Sequence, residues 1–141
     1  MIIEGLRNKI LLEGYKNSKF YEIPSFDKSI VGVAGSRVVY LFDSMVEEFV
    51  EDSYTEEERV TWDDDRLCEA RTEAIEFIEY NTLRATPYVE NELGPIVIDM
   101  NPEDEKFHVI SSSEGRVFDL DEIEFSVKSK DEILEAQEYK I

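Results

Sequence analysis

Apolar positions recur at steps of three and four from Leu67 onward. Leu67, Ala70, Ala74, Ile78 and Asn81 form one stripe, flanked by Arg71, Ile75, Phe77 and Ala85. That spacing predicts a helix with one buried face. Glu69, Glu73, Glu76 and Glu79 mark the outer face. Asp63, Asp64 and Asp65 stand at the start, where negative charge meets the positive end of the helix dipole. Pro87 sets the stop, because the residue before a proline avoids helical geometry. The alanines let a neighbouring sheet approach closely.

Upstream the period shortens. Residues 30–33 and 37–42 are strand-forming runs around Ala34-Gly35-Ser36, the pattern of a β-hairpin. Val38, Tyr40 and Phe42 alternate with Val39 and Leu41, so both faces of the second run are apolar. Such a strand belongs in the middle of a sheet, covered on both sides. Ser44-Met45-Val46-Glu47 fits a capping box, opening a helix with Met45, Val46, Phe49 and Val50 inward. Thr55-Glu56-Glu57-Glu58 repeats the capping pattern ahead of Val60 and Trp62.

The flanks are simpler. Ile3, Leu6, Ile10 and Leu11 share a helical stripe within 2–16, with Gly14 as its stop. Residues 15–29 read as a loop anchored by Phe20, Ile23 and Phe26. Residues 96–100, 107–110, 116–120 and 123–127 read as strands. Ser129-Lys130-Asp131-Glu132 caps a short helix that runs to Tyr139. The expected fold is α+β: a single domain over 1–141, with a small, mainly antiparallel sheet packed against a central helix and additional short helices. Residues 1–100 form its core and 101–141 a strand and helix extension.

Two stretches together resemble a known kind of protein. RVVYLFDSMVEEFVED at 37–52, followed by EAIEFIEYNTLRATPY at 73–88, is similar to segments of small acidic α+β proteins of bacterial and prophage type. The resemblance implies a small α+β protein of a kind often carried on mobile elements. It transfers no catalytic motif.

Charge changes the picture most. The chain carries 34 acidic and 15 basic side chains, a net charge of −19. Residues 1–42 hold 6 basic and 4 acidic groups, 43–79 hold 3 and 15, and 80–141 hold 6 and 15. Such a surface repels phosphate backbones and anionic membranes, which argues against direct nucleic-acid or membrane binding. It speeds association with basic protein surfaces. The partner-binding candidates are Glu47, Glu48, Glu51, Asp52, Glu56, Glu57, Glu58, Asp63, Asp64 and Asp65, relieved only by Arg59. They form either a docking surface or a solvated helical face that serves solubility alone. No apolar run reaches the roughly 18 residues of a membrane span, and charges break the first residues, so a soluble cytoplasmic protein is expected.

Candidate chemistry is sparse. Cys68 is the single cysteine, which excludes an intrachain disulfide and a thiolate-rich metal site. The aspartates before it disfavour a reactive thiolate. His108 is the single histidine, and alternation sets it opposite Phe107 and Val109 with no Ser, Cys or Asp arrangement completing a triad. Asp63, Asp64 and Asp65, even with Asp52 or Glu56, lack the glycine and terminal glutamate of an EF-hand. Gly32-Val33-Ala34-Gly35 lacks the lysine of a P-loop. No catalytic residue, metal or cofactor is assigned.

Two functional readings follow. The first is a non-enzymatic acidic module that docks on a basic protein, such as a mobile-element-encoded inhibitor or nucleic-acid mimic. The alternative is a small-molecule binding protein or an enzyme of unfamiliar type. Its pocket would lie near Tyr80, Asn81, Arg84, Tyr88 and His108, with Arg84 clamping a carboxylate or phosphate. Asn81 and Thr82 either floor that pocket or bond local backbone at the helix end. The oligomeric state is left open.

Overall fold

Strands β1 (Ile30–Ala34) and β2 (Arg37–Leu41) pair antiparallel across Gly35, as the alternation predicts. Gly35 has φ 56°, a left-handed conformation that costs glycine little because it has no Cβ. The computed structural model of the chain describes residues 9–10, 14, 21, 24–35, 37–83, 95–101, 103–111 and 116–138. Within the expected N-terminal helix, Lys9 and Ile10 are helical and Ile10 is buried; the rest of 2–16 lies outside the described residues, apart from Gly14. Phe26 is buried in a 3-10 turn (Pro24–Ser29) that leads into β1.

Helix α1 (Phe42–Ser53) follows β2 with no loop between them. Its N-cap is Leu41, which offers no side-chain acceptor, and Ser44 lies inside the helix. The capping box expected at Ser44 is therefore not formed: the strand runs straight into the helix, one turn too early for Ser44 to cap it. Met45, Val46 and Val50 are buried as the pattern predicts, and Phe49 is partly buried against the same core. Helix α2 (Glu56–Arg59) opens with the expected Thr55–Glu58 capping box. Helix α3 (Asp64–Ile78) is capped by Asp63, whose carboxylate accepts from the Arg66 N–H at 2.8 Å. A π-helical turn (Glu79–Leu83) continues it. Ala70, Ala74 and Ile78 are buried, whereas Leu67 is 42% exposed. The packed stripe thus begins one turn later than the sequence predicts. Ala85 and Pro87 lie outside the described residues.

Strands β3 (Ile96–Asn101), β4 (Lys106–Val109), β5 (Val117–Phe118) and β6 (Phe125–Ser126) complete a six-stranded sheet in the order β5-β4-β3-β2-β1-β6. β3 lies parallel to β2, with Val39 opposite Ile96, and the other four pairings are antiparallel. Parallel neighbours need a long crossover connection. Residues 42–95 are that crossover, so α1, α2 and α3 all sit between two adjacent central strands in sequence.

The link from β5 to β6 spans residues 119–124 and joins opposite edges of the sheet. Fully extended, it reaches at most about 25 Å. A flat six-stranded sheet is about 24 Å wide. Leu120–Glu122 form a 3-10 turn, which shortens that reach because such a turn rises only about 2 Å per residue. The sheet must therefore curl, bringing its edges towards each other. The register shift between Ile30 and Gly32 bends β1 in the same region.

The two faces of the sheet carry two cores, because successive side chains along each strand point to opposite sides. Val38, Tyr40 and Val97 face α1 and α3 with Met45, Ala74 and Ile78. Val39, Leu41, Ile96 and Ile98 face the other side with Phe107, Val109 and Phe118. β2 is thus the central strand covered on both faces that its sequence predicts. Helix α4 (Lys130–Glu138) sends Ile133 into the second core and is opened by reciprocal bonds between Ser129 and Glu132. Fold and sequence pattern agree on an α+β single domain with a mainly antiparallel sheet and a long helix packed on it.

Candidate functional site

Helices α1 and α3 of the crossover each bury one side in the core and turn the other to solvent, whereas α2 buries none of its residues. Glu47, Glu51, Asp52, Glu56, Glu57, Glu58, Asp63, Asp64 and Asp65 are all exposed; Glu48 is half-buried. Their environments divide them. Glu47 pairs with Arg71 of α3, and Glu48 lies 3.7 Å from Lys28. Burial raises the Glu48 pKa, with Lys28 opposing and Glu51 and Asp52 reinforcing the shift. Glu58 and Asp63 are engaged as caps. Among the ion pairs between described residues, none involves Glu51, Asp52, Glu56, Glu57, Asp64 or Asp65. No described basic side chain neutralises these six. Glu47 and Glu48 instead tie α1 to its neighbours.

Arg66 organises the junction of α2 and α3. Its guanidinium lies 4.7 Å from the Trp62 ring centroid and 5.1 Å from that of Tyr54. The two rings meet edge-on at 4.8 Å. Glu69 and Glu73 approach the same guanidinium at 3.6 and 3.8 Å, and the Tyr54 hydroxyl donates to Glu73 at 3.2 Å. Cation–π stacking and carboxylate pairing here act on one arginine. Trp62 and Tyr54 are both partly buried in this cluster, against the first core.

Further along α3, an open depression is lined by Glu73, Glu76, Phe77, Glu79, Tyr80 and Asn81. Two of the residues expected to form a pocket, Tyr80 and Asn81, therefore meet, but with glutamates and Phe77 as neighbours. Arg84 and Tyr88 lie outside the described residues. His108 is not part of this lining. Asn81 is exposed, and its Nδ2 donates to the Phe77 carbonyl at 3.1 Å, a local backbone bond at the helix end. Glu73, Glu76 and Glu79 of the outer face, and Phe77 from the flank of the buried stripe, join the expected pocket residues here. Their helical spacing with Tyr80 was the available signal.

His108 lies on β4, on the side opposite Phe107 and Val109, and its Nε2 is 2.8 Å from Asp104 Oδ2. That contact holds the Asp104 pKa below its ordinary value, helped by the Lys106 N–H. Asp99 is the cross-strand neighbour of His108, and burial pushes its pKa up to about 6. Cys68 is exposed on α3. Among the described residues no three carboxylate, histidine or cysteine side chains are grouped to hold a metal ion. No helix among them is long and apolar enough to cross a membrane.

Comparison with protein-family models, with curated proteins and with solved structures finds no match for this chain.

Proposed function

We propose that the protein is a non-enzymatic binding module whose acidic crossover docks on a basic protein surface in the cytoplasm. One observation carries this reading. Glu51, Asp52, Glu56, Glu57, Asp64 and Asp65 are exposed, close in sequence around α2, and in no ion pair between described residues. Like charges held together in this way repel one another, and a cationic partner removes that cost. A partner whose own basic groove binds nucleic acid fits best, and the module then acts as an inhibitor that competes for that groove. Glu47 and Glu48 contribute less to docking than Glu51 and Asp52 of the same helix, because Arg71 and Lys28 already occupy them. The test is salt-sensitive capture of a basic protein, compared between the wild type and a variant carrying Glu51→Gln, Asp52→Asn, Glu56→Gln and Glu57→Gln. Capture that survives both the variant and high salt removes the electrostatic basis.

A further inference from the structure

Lys128 follows β6 where the chain turns towards α4, and the residue is fixed at both ends. Its backbone N–H donates to the Val31 carbonyl at 3.1 Å, beside that of Val127 at 2.9 Å. Its Nζ donates to the Lys28 carbonyl at 2.9 Å, near the end of the 3-10 turn that leads into β1. Lys9, Lys28, Lys106 and Lys130 are exposed, whereas Lys128 is half-buried. Burial lowers the Lys128 pKa, with Glu132 of α4 and Glu48 of α1 opposing the shift. Such an amine holds more of its neutral, nucleophilic form near neutral pH. The bond to the carbonyl uses one N–H of that form and leaves the nitrogen lone pair available for attack. Lys28 lies 3.7 Å from the same Glu48, and its side chain is 58% exposed. In a chain of net charge −19, two cations thus stand together around one half-buried carboxylate.

We propose that Lys128 is a covalent modification site, acylated on Nζ by a small acyl phosphate. The exposed Lys28 ammonium receives the phosphate of the donor, since a lysine binds phosphate as a point charge. The Lys128 nitrogen attacks the acyl carbon. A C–N bond forms, the C–O bond to phosphate breaks, and phosphate leaves with that electron pair and with the proton that the nitrogen loses. The product amide keeps one N–H for the Lys28 carbonyl, so the local structure accommodates it. The amide carries no charge, so acylation makes an acidic chain more negative. It also leaves Lys28 as the lysine that opposes the raised Glu48 pKa.

The experiment incubates the full chain with acetyl phosphate at neutral pH. Site-resolved mass spectrometry follows acetylation of Lys128, Lys106 and Lys130 in the same molecules, folded and unfolded in guanidinium. Lys106 and Lys130 are exposed and serve as internal references. Lys28→Gln keeps the carbonyl that holds Lys128 and is run alongside, with circular dichroism to check its fold. In the folded chain Lys128 is expected to react roughly three- to tenfold faster than either reference, and no faster once the chain is unfolded. Lys28→Gln is expected to slow Lys128 roughly threefold relative to Lys106. A folded chain in which Lys128 reacts no faster than the references overturns the site, as does an advantage that survives unfolding. A Lys128 rate that Lys28→Gln leaves unchanged relative to Lys106 overturns the acyl phosphate as its donor.

Discussion

Gly32 and Ile123 touch across the first strand: a Cβ built on Gly32 would lie 2.5 Å from Ile123 Cγ2 and 2.5 Å from the Phe125 carbonyl oxygen. The second of those atoms is backbone and cannot swing aside. The contact lies where the end of the β5–β6 link runs beside the bulged part of β1. Gly32→Ala is therefore expected to loosen β6 and to destabilise the fold by about 1–3 kcal/mol, as over-packing does elsewhere. Urea unfolding measures it. Wild-type stability in the alanine variant would show that the curl does not depend on this approach.

Asp99 predicts a pH effect of definite sign. Its carboxyl titrates at about 6 in the fold against 3.8 unperturbed, because burial disfavours the charge. The folded state thus binds an extra proton between those values. The stability it supplies is present at low pH and lost as pH rises through the window. Asp99→Asn removes the penalty. After discounting for its partial exposure, the variant is expected to gain about 1–2 kcal/mol over wild type at pH 7 and nothing at pH 3. Unfolding both proteins at the two pH values decides it. An equal difference at both would mean that desolvation of the charge is not the cause.

How much of this was legible beforehand depends on sequence distance. The β1–β2 hairpin, the inward set Met45, Val46 and Val50, and the Thr55 cap are local, and each follows from spacing within a few residues. The pairing of Val39 with Ile96 is not local, and nothing in the short strand 96–101 says whether it lies parallel to β2. The transfer of β6 to the far edge is likewise set by curl rather than by pattern. Ser44 misled because a capping motif predicts a start only where the preceding residues are not already turning into helix. Among site residues, the acidic run was plain in composition. Its internal division was hidden, because Arg71 is remote in sequence from Glu47, as is Lys28 from Glu48.

That division gives the docking proposal a test in stability. Glu51 and Asp52 stand one helical turn from Glu47 and Glu48, and their charge helps to raise the Glu48 pKa. Relieving like charges at this spacing gains about 0.2–0.5 kcal/mol per pair. Glu51→Gln with Asp52→Asn is therefore expected to raise the melting temperature slightly. Glu47→Gln, which breaks the pair with Arg71, is expected to leave it unchanged or lower it. A lower melting temperature for the Glu51 and Asp52 variant would give those carboxylates a structural role and weaken the case for docking.

The most direct measurement is capture of partners by tagged protein from host lysate, at low salt and at about 0.5 M salt, with the neutralised Glu51, Asp52, Glu56 and Glu57 variant run in parallel. At the higher salt, screening shortens the reach of surface charges to about 4 Å. Docking through the acidic crossover predicts a basic partner in stoichiometric amount, released by salt and missing from the folded variant. A partner held equally by both proteins at both salt concentrations, or none held by the wild type, would contradict it.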